Sequence, residues 1–167
     1  RIVTDDNLAP DLVMRYDLKR DWGHFTATGM LRQLAYDNAA ASIDDSTTSF
    51  GISLSGKFML DSGDDFRWMA STGSGLGRYM GLNAFNDGYV EENGDIDTFD
   101  QWGAFIAYRH FWSPKWKSTV SFSMAGADNP GTNDFAGSNG LAEEYQSVHA
   151  NLNYMPAPKL SIGGELL

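Results

Sequence analysis

The sequence predicts an all-β protein, an antiparallel up-and-down β-barrel that crosses a membrane. Three observations lead to this fold class. Apolar and polar residues alternate in eight segments, the connections between these segments are short and long in turn, and no segment approaches the roughly 18 apolar residues of a membrane-spanning helix. Regular alternation of tight turns and long loops is typical of outer-membrane barrels. A mean hydropathy of −0.35 is compatible with this fold because only every second residue of a strand contacts lipid.

The eight alternating segments are the predicted strands, and short turns join them in pairs. The segments span residues 11–19, 23–36, 48–60, 65–73, 101–112, 116–126, 144–155 and 159–167. The short turns contain Gly, Pro or Asp and lie at residues 20–22, 61–64, 113–115 and 156–158. Long polar segments, which hold most of the acidic residues, separate the pairs at residues 37–47, 74–100 and 127–143.

Each of the first four strands has one apolar face when its residues are separated by parity. The apolar faces hold Leu12, Met14, Tyr16 and Leu18 in the first strand, Phe25, Ala27, Gly29, Leu31 and Ala35 in the second, Phe50, Ile52, Leu54, Phe58 and Leu60 in the third, and Phe66, Trp68 and Ala70 in the fourth. The opposite faces carry mostly Ser, Thr, Lys and Arg. Met30 is an exception, because it shares the polar face of the second strand with Arg32.

The last four strands follow the same pattern. Their apolar faces hold Trp102, Ala104, Ile106, Tyr108 and Trp112, then Trp116, Val120, Phe122 and Met124, then Val148, Ala150, Leu152 and Tyr154, and finally Leu160, Ile162 and Leu166. In the fifth strand Phe105 and Phe111 share the face of Arg109. The opposite assignment would place Arg109 in lipid at a cost of about 2–4 kcal/mol, so we expect Arg109 on the polar face.

Aromatic residues lie at strand ends beside the short turns. They are Tyr16, Trp112, Trp116 and Tyr154, and the two tryptophans flank the turn at Pro114. Amphipathic rings in such positions are typical of the girdle that a barrel presents to the membrane interface.

Composition and charge exclude several classes of function. The net charge of −10 argues against a nucleic-acid partner. The absence of cysteine excludes disulfides and thiolate metal sites, and three scattered histidines offer no convergent ligand set, so no metal or cofactor is expected. Ser147 and His149 share one strand face, but this spacing is ordinary for a polar face. We therefore expect a protein that is not an enzyme.

Five segments of the chain resemble the DcaP-like family of Gram-negative outer-membrane porins. They are residues 10–17 (PDLVMRYD), 21–24 (DWGH), 29–34 (GMLRQL), 76–83 (LGRYMGLN) and 107–112 (AYRHFW). The resemblance implies a 16-stranded, trimeric barrel in the outer membrane, in contact with lipid and lipopolysaccharide, that lets small anionic solutes such as dicarboxylates cross. It also implies that residues 1–167 are one partial barrel domain from the C-terminal half of such a protein, without its N-terminal strands and its final strands.

The selectivity of a porin comes from the charged side chains that line its lumen. The bases on the predicted polar faces are Arg15, Arg32, Lys57, Arg67, Arg109 and Lys117, and Asp17 and Glu165 are the acids that oppose them. Arg78 joins this set if the segment 74–100 folds inward. A lumen of this sign favours anions, and arginine binds carboxylates bidentately. A second interpretation stays open, in which these bases pair with acidic loop residues and make the pore rigid.

Two other classes of function remain possible. A closed outer-membrane barrel, enzymatic or structural, would have no open lumen, and an enzyme of this kind would lose hydrolytic activity on Ser147→Ala or His149→Ala. A soluble β-sandwich binding module would pack its apolar faces on each other and would be monodisperse without detergent. The bases on the polar faces and the family resemblance favour the porin.

Overall fold

The computed structural model describes residues 9–38, 43–80, 85–91, 93–128 and 143–167. The strands of this part of the chain are β1 (Leu12–Arg20), β2 (Gly23–Asn38), β3 (Ile43–Met59), β4 (Asp65–Ser74), β5 (Gly88–Val90), β6 (Ile96–Thr98), β7 (Asp100–Ser113), β8 (Trp116–Asp128), β9 (Glu144–Ala157) and β10 (Leu160–Leu166). Eight of them form one sheet in the order β1-β2-β3-β4-β7-β8-β9-β10, and β5 pairs with β6 in a separate hairpin. Every pair is antiparallel, and the eight-stranded sheet is not closed.

The eight predicted strands are confirmed, but two connections differ from the prediction. The segment 37–47 was predicted as a long loop, whereas β2 continues to Asn38 and β3 begins at Ile43, with Asp37 opposite Asp44. Polar residues are compatible with this extension because the ladder pairs their backbone groups wherever the side chains point. The segment 74–100 contains the short β5–β6 hairpin, which has no alternating pattern long enough to predict. Most of the predicted loop 127–143 lies outside the described residues.

The strand register joins the predicted apolar faces into one continuous surface, which we call the outer face. Across neighbouring strands, Leu54 lies opposite Ala70, Trp68 opposite Ile106, and Phe122 opposite both Ile106 and Val148. Large apolar side chains on this face are exposed, as lipid contact requires. They include Leu12, Met14, Ile52, Ile106, Val120, Val148 and Ile162.

The opposite surface, the inner face, carries the polar and charged side chains. Cross-strand hydroxyl pairs lie on it, with Ser71 Oγ donating to Ser53 Oγ at 2.8 Å and Ser123 and Ser147 sharing a hydrogen bond of 2.7 Å. Arg109 lies opposite Asp65 on this face, so the predicted parity of β7 is confirmed. The buried apolar side chains cluster towards the long-loop end of the sheet. They are Leu34, Ala35, Leu76, Phe85, Ile96, Phe99 and Ala127.

Aromatic rings gather at the short-turn end of the sheet. Trp22 stacks on Phe58 with ring centroids 5.3 Å apart, and Trp116 packs on Tyr154 at 4.7 Å. Tyr16 lies four positions before the end of β1, further from the turn than predicted. Large amphipathic rings at this end match the position of an interfacial girdle.

Asp64 connects the β3–β4 turn to the end of β7 by hydrogen bonds. Its carboxylate accepts the backbone N–H of Phe111 at 2.9 Å and the hydroxyl of Tyr108 at 2.7 Å, and it contacts His110 Nδ1 at 2.9 Å. These hydrogen bonds, the Phe111 N–H first among them, hold the pKa of Asp64 well below its ordinary value. The turn is thereby attached to a strand that is distant in sequence.

In the described part of the chain, no helix has the length and apolar character needed to cross a membrane.

A substitution at Gly23 would test the geometry of the β1–β2 turn. Its φ of +137° is unfavourable for other residues, and a Cβ there would lie 1.9 Å from the carbonyl oxygen of Lys57. We expect Gly23→Ala to lower the free energy of unfolding by more than about 1 kcal/mol, measured by urea titration in lipid vesicles. Gly29→Ala is the matched control, because a Cβ at Gly29 meets no heavy atom within 4 Å. Equal stabilities of the two variants would contradict the assigned turn geometry.

Asp64 also gives the sheet a defined dependence on pH. Its donors stabilise the carboxylate, so this stabilisation is complete above the ordinary pKa of 3.8 and is lost as the pH falls from there towards the lower pKa of the folded state. We expect Asp64→Asn to be less stable than wild type at neutral pH. Its free energy of unfolding should also fall less than that of wild type as the pH is lowered. Asp61→Asn removes the same charge from the same turn at an exposed position. Urea unfolding across acidic pH would show parallel curves for Asp64→Asn and wild type if the assignment were wrong.

Candidate functional site

The inner face brings three predicted lumen bases together around one acid. Asp65 begins β4, and Arg67 follows two residues later on the same face. Lys57 lies opposite Arg67 on β3, and Arg109 lies opposite Asp65 on β7. Because neighbouring strands are about 4.8 Å apart, this register places all four charged groups within reach of each other. We call Lys57, Asp65, Arg67 and Arg109 the Asp65 cluster.

The carboxylate of Asp65 is the centre of the cluster. Arg67 Nε donates to Oδ1 at 2.8 Å, Arg109 Nε donates to Oδ2 at 2.8 Å, and Lys57 Nζ lies 3.8 Å from Oδ2. Two of these contacts are charge-assisted hydrogen bonds, which are stronger than neutral ones. The buried carboxylate holds the three cations side by side despite their mutual repulsion. One anion among three cations leaves the cluster with two positive charges in excess.

The cations of the cluster remain accessible from the inner side of the sheet. The Asp65 side chain is only 2% exposed, whereas the side chains of Arg67, Lys57 and Arg109 are 44%, 26% and 23% exposed. The three basic side chains are therefore partly open to solvent, and Asp65 does not use all of their donors. They can bind a second anion without displacing the first.

A hollow of about 460 Å³ lies over the cluster on the inner face. Its wall continues from Arg67 and Arg109 across β8 and β9 to His149, whose Nδ1 lies 3.4 Å from Glu165 Oε1. The other lining residues are small or hydroxylic apart from one ring, and they are Ala107, Thr119, Ser121, Ser123 and Phe105. Small polar side chains leave room for a solute and offer it hydrogen bonds.

Arg32 has different surroundings from the other predicted lumen bases. Its side chain is 1% exposed, and its guanidinium donates to Asp87 Oδ1 at 2.9 Å, to Asp87 Oδ2 at 3.3 Å and to the carbonyl of Gly75 at 2.7 Å. Asp11 Oδ2 lies 3.7 Å from its Nε. Arg32 therefore pairs with an acidic loop residue, which is the pairing that the second interpretation of the sequence expects.

Residues 75–99 are called the inner loop, and Arg32 belongs to a set of contacts that hold its described residues, 75–80, 85–91 and 93–99, against the inner face. Gln101 Nε2 donates to the carbonyl of Asn86 at 2.5 Å, and the backbone N–H of Ile96 donates to Asp45 Oδ2 at 2.7 Å. Leu76 packs on Gly51, where a Cβ would lie 2.8 Å from its Cδ2. The described part of the inner loop therefore lies on the inner face, a position that the sequence left open.

The remaining predicted bases lie apart from the Asp65 cluster. Arg15 is on the inner face of β1 and pairs with Asp17 at 2.8 Å. Arg78 is in the inner loop, where its backbone N–H donates to Asp87 and its guanidinium lies 5.8 Å from the ring centre of Tyr79. Lys117 is on the inner face of β8 at the short-turn end, opposite Asn153. The structure therefore brings together three of the seven predicted bases.

The sequence interpretation did not include Asp65 and Asp87, the acids that pair with the bases of the inner face. Asp65 has the same parity as Arg67 in a predicted strand, so the pattern alone would have placed it on the polar face. Asp87 carries no such signal, because it lies in an irregular segment and reaches Arg32 only through tertiary contacts.

The arrangement of the candidate hydrolytic pair does not resemble a catalytic site. Ser147 shares its hydrogen bond with Ser123, and His149 contacts Glu165, so neither is seen to bind the other. A serine nucleophile requires a base within hydrogen-bonding distance. Within the described ranges, no three His, Cys, Asp or Glu side chains are placed to hold a metal ion.

Comparison with solved structures identifies the fold. The chain is similar to the crystal structure of the outer membrane channel DcaP of Acinetobacter baumannii, with a TM-score of 0.82 and 19% sequence identity. The similarity covers 96% of this chain and 45% of the DcaP chain, so the chain spans a little under half the length of that channel. No protein-family model and no curated protein matches the sequence. The porin-type sheet and the resemblance to DcaP-like porins are thereby confirmed at the level of the fold.

Asp87 allows the attachment of the inner loop to be tested. Asp87→Asn weakens the pair with the buried Arg32, and a hydrogen bond between charged groups contributes about 1.5–3 kcal/mol. We therefore expect amide hydrogen exchange in residues 75–80 to accelerate by roughly ten- to hundredfold. Asp97→Asn is the control, since Asp97 is exposed and bonds only within the β5–β6 hairpin among the described residues. Equal exchange rates in the two variants would show that the Arg32–Asp87 pair does not hold the loop.

Proposed function

We propose that this chain forms part of the wall of a diffusion channel in the outer membrane of a Gram-negative bacterium, and that its lumen favours small anions. The observation that carries the proposal is the Asp65 cluster, in which three cations share one buried carboxylate on the inner face of a porin-type sheet. Similarity to the fold of an outer membrane channel supports the location and the channel role.

The net positive charge of the Asp65 cluster provides the selectivity for anions. An excess of positive charge beside a low-dielectric wall raises the local concentration of anions and lowers that of cations. Arg67 and Arg109 have donors left over for a carboxylate, which a guanidinium binds in a planar, bidentate geometry. Small mono- and dicarboxylates therefore match the cluster in both charge and shape.

The proposed channel requires more strands than the eight described here. In the open sheet, the outer edges of β1 and β10 leave a row of backbone groups without strand partners. Unpaired backbone N–H and C=O groups are not tolerated in lipid, so the barrel must close on these edges. We propose that the eight strands are about half of the wall, in line with the share of the DcaP chain that they cover.

The inner loop would set the width of the lumen in this channel. Its described part lies on the inner face and is held there by Arg32, Gln101 and Asp45. A loop attached in this way narrows the space inside the barrel at the long-loop end. Solutes would then pass the loop before they reach the Asp65 cluster nearer the short turns.

Ion selectivity of the complete barrel protein in planar bilayers tests the proposal. Under a KCl gradient we expect a reversal potential of the sign that indicates chloride preference. Replacement of Arg67 or Arg109 by Gln keeps a donor for Asp65 but removes one charge. A Coulomb energy of about 0.6 kcal/mol at 7 Å in water changes the local concentration of each ion about threefold, in opposite directions for chloride and potassium. Each replacement should therefore lower the chloride-to-potassium permeability ratio about sevenfold.

Two further variants complete this test, one that should raise the permeability ratio and one that should leave it unchanged. Asp65→Asn removes the only anion of the cluster and should raise the same permeability ratio. Lys159→Gln removes a positive charge from the exposed β9–β10 turn and should leave the ratio unchanged. Cation selectivity of the wild type, or equal ratios in Arg67→Gln and Asp65→Asn, would contradict the proposed function. Absence of any channel current would favour a closed barrel.

A further inference from the structure

An apolar surface interrupts the polar inner face beside the Asp65 cluster. Met69 on β4 and Phe105 on β7 lie opposite each other with their side chains on the inner face. The inner loop adds the partly exposed Met80 and the buried Leu76 and Phe85, and these five residues line a hollow of about 760 Å³. We call them the apolar shelf. A face that contacts only water does not need apolar side chains, so their grouping here indicates a binding surface.

Glycines on the sheet make this surface possible. A Cβ at Gly51 would lie 2.8 Å from Leu76 Cδ2, and a Cβ at Gly103 would lie 2.8 Å from Met80 Cε. Larger residues at these positions would push the loop side chains away from the sheet. The Phe85 ring packs on Tyr145 of β9 with centroids 5.5 Å apart. The shelf is thus built from the inner loop and the two strands β4 and β7, and close contacts with Gly51, Gly103 and Tyr145 define its position.

The apolar shelf and the Asp65 cluster form one continuous surface. Phe105 and Ser123 line both hollows. Met69 follows Arg67 by two residues on the same face of β4, which corresponds to roughly 7 Å along the strand. A molecule that places a carboxylate on Arg67 can therefore extend across Met69 and Phe105 without leaving the wall.

We propose that this channel binds carboxylates that carry an apolar chain or ring, with the carboxylate on Arg67 and Arg109 and the apolar part on the shelf. The proposal rests on the proposed function, because it names the class of anion that the same lumen would hold longest. Methionine side chains adapt to apolar groups of different shapes, so chain length matters more than exact structure.

The chemistry of the shelf separates apolar carboxylates from compact diacids. A methylene group that moves from water onto Met69 and Phe105 gains from the hydrophobic effect. A second carboxylate in the same place would lose hydration, and no lysine or arginine is among the described residues that line this hollow to compensate for the loss. We expect residence to lengthen roughly two- to fourfold per methylene in contact with the shelf.

Current blockage by linear carboxylates tests the inference. Residence times of acetate through octanoate would be recorded on the complete barrel protein in planar bilayers, together with diacids of equal carbon number. We expect residence to lengthen with chain length for the monoacids and to be shorter for the matching diacids. Met69→Ser should reduce the dependence on chain length. Phe105→Thr, which removes apolar surface but keeps a good strand-forming residue, should do the same and provides a second variant if the first does not assemble.

Met59→Ser is the matched control. Met59 lies on the inner face of β3, is 41% exposed against 37% for Met69, and lines neither hollow. It should keep the wild-type dependence on chain length. Residence that is independent of chain length in a chloride-selective channel would overturn the shelf and leave the proposed function intact. Equal dependence in Met69→Ser and wild type, or in Phe105→Thr and wild type if Met69→Ser does not assemble, would also overturn it. Loss of chloride preference in the wild type would instead contradict the proposed function.

Discussion

The pairing of backbone groups in one antiparallel ladder is the constraint on which the rest of this structure depends. A backbone N–H or C=O group without a partner costs several kcal/mol in lipid, so the ladder from β1 to β10 has to be continuous. Because side chains alternate along each strand, a continuous ladder also produces two continuous faces. A register slip of one residue would exchange them and carry Arg109 into lipid. The register therefore decides which side chains form the apolar outer face and which form the polar inner face.

The inner face uses the same residue type in two ways. Arg67 and Arg109 share a buried carboxylate but stay partly exposed, whereas Arg32 is buried and bonded to Asp87 and Gly75. The difference lies in what covers each residue. The inner loop closes over Arg32, while nothing described covers the Asp65 cluster. A buried guanidinium with bidentate and backbone partners holds structure together, and an exposed one keeps donors for a solute.

The two ends of the sheet are held by different interactions. At the short-turn end, Asp64 accepts donors from β7 and binds one hairpin to the next. At the other end, Arg32 and Gln101 attach the inner loop to the wall. Both sets of contacts use hydrogen bonds from polar side chains near the ends of the strands. Between them the outer face needs only apolar side chains.

The sequence by itself determined the strands and their two faces. Period-two alternation reports burial and lipid contact residue by residue, and the charged set on the inner face follows from the same parity. It also placed Asp65 beside Arg67, although that acid was overlooked. Only the tertiary structure decided that β2 and β3 extend through residues 37–47 as far as Asn38 and Ile43, that Asp87 reaches Arg32, and that Met69 meets the inner loop. These outcomes depend on contacts between segments distant in the chain. Local alternation carries no information about such contacts, because it records which side of a strand a residue occupies and not what lies across from it.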